Sequence, residues 1–178
     1  MKIYTKTGDD GSTGLLGGDR VSKDDLVVHT LGDLDELNAT IGLAIAHGAV
    51  LSERLLEIQS RLFDLGAEVA SLSEDKRFLM ESAAEETLKL EHEIDQADEE
   101  LPVLMNFVLP GGTLAASTLH IARAVCRRAE RSMVAVAEDS SLRPEGVQFL
   151  NRLADWLFTM ARLENARTGT PETIWTKS

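Results

Sequence analysis

Apolar residues recur along most of this chain at helical spacing. Leu26, Val27, Leu31, Leu34, Leu37, Ile41, Ala44 and Ile45 form one stripe, which predicts a helix from a cap at Asp24 or Asp25 to about His47, ended by Gly48. A second helix is predicted over about 52–70, carrying Leu55, Leu56, Ile58, Leu62, Phe63, Leu65 and Val69. A third, over about 82–100, sets Leu88, Leu90, Ile94 and Ala97 on an acidic body and stops at Pro102. Val103 to Leu109 is a short apolar run, extended or coiled, within which Phe107 reads more readily as core than as a ligand wall. After Pro110-Gly111-Gly112, Thr113 is a good N-cap for a fourth helix to about Ala137. A fifth starts near Pro144, a favoured first-turn residue, and ends at Gly169, with Trp156, Phe158 and Met160 read as core.

The first 23 residues break this pattern. Gly8, Gly11, Gly14, Gly17 and Gly18 are interleaved with Thr5, Thr7, Ser12 and Thr13, a density that predicts an irregular loop. The expectation is an all-α fold: one domain over 1–178, with an arm over 1–23 and a five-helix bundle over 24–170, and with no sheet, repeat or linker.

Composition narrows the function. The chain has 178 residues, with 18 Lys+Arg against 30 Asp+Glu, a net charge of −12. Such a surface disfavours a general nucleic-acid binder. One cysteine fits a reducing compartment, the start lacks a signal-peptide core, and no run reads as a membrane span, so a cytoplasmic protein is expected. Charge is unevenly spread: residues 81–100 hold nine acids and one base, and read as a solvated helix. Arg123, Arg127, Arg128 and Arg131 instead fall within nine residues of the fourth helix, on one face beside Glu130. Leu119, Ile121, Ala122, Val125, Cys126, Ala129 and Met133 take the opposite, apolar face, where Cys126 reads as a small core residue.

Arginine suits bidentate phosphate recognition, and a bound polyanion would offset repulsion between these neighbours. A solvated face of local ion pairs is the alternative reading. The glycine-rich arm offers backbone N–H groups and hydroxyls to an anion, with Lys6 and Lys23 flanking it, although it matches neither a Walker A loop nor a dinucleotide fingerprint. The alternative there is a flexible terminus. His29, His47, His92 and His120 show no paired spacing for a di-metal site.

Six segments together resemble the PduO-type ATP:cob(I)alamin adenosyltransferases. They are Tyr4-Thr5-Lys6-Thr7-Gly8-Asp9-Asp10-Gly11, Gly18-Asp19-Arg20-Val21-Ser22-Lys23, Gly32-Asp33-Leu34-Asp35-Glu36-Leu37-Asn38, Phe107-Val108-Leu109-Pro110-Gly111-Gly112, Arg123-Ala124-Val125-Cys126-Arg127-Arg128-Ala129-Glu130-Arg131 and Phe149-Leu150-Asn151-Arg152-Leu153-Ala154-Asp155. They keep the family's order across nearly the whole chain; residues 50–100 match only as helices.

The resemblance implies a homotrimer of five-helix bundles with active sites between subunits. It implies transfer of the 5′-deoxyadenosyl group of ATP, accompanied by magnesium, to the cobalt of cob(I)alamin, releasing triphosphate. It also implies residue roles. Thr5, Lys6, Thr7, Gly8, Thr13, Gly14 and Lys23 match the segment that wraps the nucleotide, and Arg127, Arg128, Glu130, Arg131 and Asn151 match its helix contacts. Asp35 and Arg123 match a pair bridging subunits near the corrinoid, and Phe107 matches the residue that crowds the lower face of cobalt and removes its axial ligand. A reductase supplying cob(I)alamin is a possible partner. A non-catalytic nucleotide sensor and a structural trimer remain the alternatives on the residues alone.

Overall fold

The computed structural model describes residues 3–16, 18–71, 76–139 and 142–177. Five helices carry the fold: α1 (Leu26–Ala46), α2 (Ser52–Ser71), α3 (Ala83–Glu100), α4 (Leu114–Asp139) and α5 (Pro144–Arg167). Their ends follow the expected capping chemistry. The Asp25 carboxylate accepts from Val27 N, and the Thr113 hydroxyl accepts from Ala116 N at 3.0 Å. Pro144 opens α5, and Gly169, with φ of 68°, follows its end.

Packing runs in the order α2, α1, α4, α5, α3, with α1 against α4 and α4 against α5 as the central contacts. Cross-links show that α4 runs antiparallel to α1. Asp33 near the start of α1 meets Ser132 late in α4, and His47 just past the end of α1 meets Thr118 near the start of α4. The core comprises Leu37, Ile41, Leu55, Ile58, Leu65, Leu119, Cys126, Met133, Phe149 and Trp156, all fully buried or nearly so. At about 25 cal/mol per Å² of apolar surface, such side chains dominate the stabilisation.

The structure corrects the sequence reading in four places. The arm is not wholly irregular: β1 (Ser12–Gly14) pairs antiparallel with β2 (Arg20–Ser22), the glycines at 11 and 18 supplying positive φ at the turns. Gly17 lies outside the described residues. A second ladder joins β3 (Val108–Leu109) to β4 (Thr173–Ile174) in the C-terminal tail, so the apolar run before α4 is an exposed strap and Phe107, 79% exposed, is not core. The acidic helix α3 is not merely solvated: Arg54 of α2 binds Glu86 at 3.0 Å and Glu93 at 2.8 Å, tying α2 to α3. Ile121, Phe63 and Leu88 lie on the predicted apolar stripes yet are exposed.

Candidate active site

The arm folds around its own polar groups. The Arg20 guanidinium donates to Thr7 O at 2.7 Å and reaches the Ser12 hydroxyl, while Asp10 accepts from both the Ser12 N–H and its hydroxyl. These hydrogen bonds, led by the Ser12 N–H, hold the Asp10 carboxyl below the usual carboxylate range. A Cβ at Gly8 would lie 3.2 Å from Lys23 Nζ, so the ammonium sits directly over the glycine. The hydroxyls of Thr5 and Thr7 meet at 2.8 Å, and Lys6 between them adopts a positive φ of 62°. Thr13 and Gly14 lie in β1. The arm docks through Leu16, whose N–H donates to Ala70 O at the end of α2 and which lines the rim of the groove between α1 and α2.

On α4 the arginines divide. Arg127 and Arg131 are exposed and, with Glu130 and Val134, line a depression of about 250 Å³. Arg131 donates back to Arg127 O at 2.8 Å. Glu130 accepts from Asn151 of α5 at 2.8 Å, which orients both groups beside that depression. Arg128 turns the other way, toward α1. Its Nε donates to Asp33 Oδ1 at 2.8 Å and its Nη2 pairs with Glu36. Burial pushes the Asp33 carboxyl up, but hydrogen bonds from Ser132 and Arg128 outweigh it and hold the group below its ordinary value. Half of the expected anion face is therefore open to solvent, and Arg128 is part of the α1–α4 contact. Neither of its two bonds uses Nη1, so the guanidinium keeps donors for a second anion.

Asp35 and Arg123 do not meet within one chain. Asp35 is exposed on the far side of α1 and lines the α1–α2 groove with Leu16 and Phe63. Arg123 lies on the α5 side of α4, its guanidinium 5.8 Å from the Phe158 ring centre. His120, one turn earlier and buried, packs on the same ring at 5.9 Å. Burial, then the charge of Arg123, pulls its imidazole below the usual value, while Glu172 opposes them. Cys126 is sealed in the core, its thiol donating to Leu150 O at 3.3 Å and pushed far up by burial, so it is no nucleophile.

Phe107 stands at the other end of α4. Its carbonyl accepts from Trp175 N at 2.8 Å, and its ring meets the Trp175 ring edge-on at 6.3 Å and 74°. The two rings wall an open cavity of about 560 Å³ with Leu104, Met105 and Lys177.

A model of the family described as "Cobalamin adenosyltransferase" matches residues 3–164. The chain belongs to that family. A corrinoid adenosyltransferase of Bacillus subtilis is 44% identical, the match covering 100% of this chain and 94% of that one. The human corrinoid adenosyltransferase MMAB is 40% identical over 99% of this chain and 74% of its own length. A PduO-type ATP:corrinoid adenosyltransferase from Lactobacillus reuteri, solved with cobalamin and ATP as a variant with a phenylalanine replaced by histidine, superimposes with a TM-score of 0.92 at 37% identity, covering 98% of this chain and 96% of that one. As a cobalamin adenosyltransferase, the chain uses ATP to adenosylate a corrinoid.

For an enzyme of this family the sequence signal missed the tail. Residues 171–177 contain no periodicity, and Trp175 lies in the tail beyond the last helical stripe, yet this segment forms the second wall beside Phe107. Glu172 and Arg162, an opposite-charge pair across the helix end, were the available sign.

Proposed function

We propose that the reaction runs in a homotrimer, at sites shared by neighbouring copies, moving the 5′-deoxyadenosyl group of ATP onto the cobalt of cob(I)alamin and releasing triphosphate. The observation that carries this reading is the separation of the matched residues. The arm and Asp35 occupy the α2 side of α1, whereas Arg123 and the Glu130–Asn151 pair occupy the α5 side of α4, and the α1–α4 contact stands between. A contact between one such side and the other side of the next copy is heterologous and can close into a ring, bringing Asp35 to Arg123 and the arm to the arginine face.

The chemistry asks little of the protein in covalent terms. Cobalt(I) supplies the electron pair of the new Co–C5′ bond, the C5′–O bond breaks, and its pair leaves on the triphosphate. No side-chain nucleophile or base is required. Arg127, Arg131 and Arg128, with Lys6 and Lys23 from the arm, offset the charge developing on the leaving group; Thr5, Thr7, Gly8, Thr13 and Gly14 enclose it with hydroxyls and backbone N–H groups. Glu130 acts by holding Asn151. Phe107 presents an apolar ring to the lower face of the corrin, so that loss of the axial ligand makes the cobalt easier to reduce.

Mg²⁺ fits as a companion of the nucleotide. Among the described residues no group of three or more His, Cys, Asp or Glu side chains is placed to hold a metal, and Mg²⁺ commonly keeps phosphate oxygens and waters as its ligands. Its contribution is charge neutralisation on the phosphates. Cob(I)alamin must be supplied reduced, so this reading includes a reductase as partner and a cytoplasmic location. Among the described residues no helix is long and apolar enough to cross a membrane.

The test combines sedimentation with turnover. A trimer at micromolar concentration that converts ATP and reduced cobalamin to adenosylcobalamin is expected; a fully active monomer would overturn the shared site.

A further inference from the structure

The strap bearing Phe107 has almost no packing of its own: Val103, Met105 and Phe107 all project into solvent. Besides its ladder with β4, what fixes it is one turn of α5. Arg162 and Asn165, three residues apart, are both nearly completely buried. At the entry to the strap, Arg162 Nη2 donates to Pro102 O at 3.0 Å. At its exit, Asn165 Nδ2 donates to Gly111 O at 3.0 Å, and its Oδ1 accepts from Thr113 N at 3.0 Å. The same Arg162 binds Glu172 through Nε at 2.9 Å and Nη2 at 3.3 Å. Glu172 immediately precedes β4, so this pair sets where the tail strand begins, and β4 in turn registers Ile174 against Val108 and places Trp175 on Phe107.

A buried guanidinium is a poor source of stability, because desolvation opposes its pairing. Its geometric output here is specific: one side chain holds the strap and the tail at once. We infer that Arg162, acting through Glu172 and the Pro102 carbonyl, and Asn165, acting through Gly111 and Thr113, are positioning residues for adenosyl transfer that set where Phe107 stands against the corrin. The inference rests on the role proposed above for Phe107. It also gives the tail a role, since β4 becomes the brace that keeps the Phe107 carbonyl and ring in register.

The Glu130–Asn151 end of the arginine face lies well away from this turn, since Asn151 is 11 residues, about three helical turns, before Arg162 on α5. Loss of the clamp therefore separates kinetic effects. The experiment compares Arg162→Met, Arg162→Lys, Glu172→Gln and Phe107→Ala in steady-state turnover of cob(II)alamin plus reductant, together with the optical spectrum of cob(II)alamin bound in the presence of ATP. Arg162→Met is expected to lower kcat about tenfold with KM for ATP unchanged within about twofold, and to shrink the spectral signature of the corrinoid that has lost its lower ligand. Arg162→Lys, which keeps a cation for Glu172 but loses the rigid Nε/Nη2 fork, recovers part of both. Hydrogen exchange quickens in 102–109 and 171–177 and stays unchanged in the middle of α4.

Glu172→Gln decides the matter should Arg162→Met fail to fold, because Glu172 lies in the tail outside the bundle. Wild-type kcat and spectrum in Glu172→Gln, with both lost in Phe107→Ala, overturn the clamp and leave the Phe107 reading standing. Wild-type behaviour in Phe107→Ala overturns that reading, and the clamp with it. A rise in KM for ATP matching the fall in kcat denotes general loosening and also overturns the clamp.

Discussion

At Gly112 the backbone turns with φ of 107°, and a Cβ there would collide with the Asn165 amide that closes the strap. Gly112→Ala combines a conformation L residues avoid with displacement of a buried amide that bonds both Gly111 and Thr113, and should cost about 2 kcal/mol or more in urea unfolding. The neighbouring Gly111 keeps out of the positive-φ region, which is why a Gly-Gly pair in the sequence identifies a turn without saying which glycine the turn requires. His120 offers a pH test at the same scale. Its folded pKa is depressed, first by burial and then by Arg123, so the folded state binds fewer protons than the unfolded one. The stability it contributes is complete above the ordinary imidazole value of 6.5 and is lost as pH falls from there through the folded pKa. His120→Phe, which keeps a ring against Phe158, should flatten the dependence of the urea midpoint on pH between about 7 and 5.

Among elements, the five helices were legible because each buries a stripe with a 3.6-residue period, and helix-forming physics is local enough to read from a window of residues. The two ladders were not. Each strand has only two or three residues, too few for alternation to show, and the β3–β4 pair joins positions more than sixty residues apart. Exposure of Ile121 and Phe63 was likewise hidden, since a pattern sorts positions by polarity and does not say which surface covers them. The arginine cluster and the glycine-rich arm were visible as residue types, but the turn of Arg128 toward Asp33 and Glu36 depends on α1 lying antiparallel beside α4, a tertiary fact. Arg54 shows how elements are joined by charge. It is largely buried, and Arg54→Met would strand the Glu86 and Glu93 carboxylates against α2. A loss of about 3 kcal/mol is expected, and adding Glu86→Gln with Glu93→Gln should recover part of it, as a cycle that treats the two carboxylates as one perturbation would show in urea unfolding.

For the whole molecule, the net charge of −12 and an anionic nucleotide are reconciled by placement. Part of the acidity on α3 is taken up by Arg54, and Asp33 and Glu36 hold Arg128, while Arg127 and Arg131 stay open to solvent on α4. Placement also makes the proposed sharing of sites between copies testable. Asp35→Ala removes a group from one side of the molecule, and Arg127→Ala removes one from the other. If each site takes its Asp35 side and its arginine side from different copies, each variant alone is nearly inactive, yet mixed trimers regain sites with both sides intact. Random exchange of two such variants in a heterologous ring yields about a quarter of all sites fully wild type, so activity should rise toward that fraction after co-refolding. A site built within one copy contains one lesion in every subunit whatever the mixture, and predicts no recovery. Turnover of ATP and reduced cobalamin, measured before and after subunit exchange at equal total protein, separates the two cases.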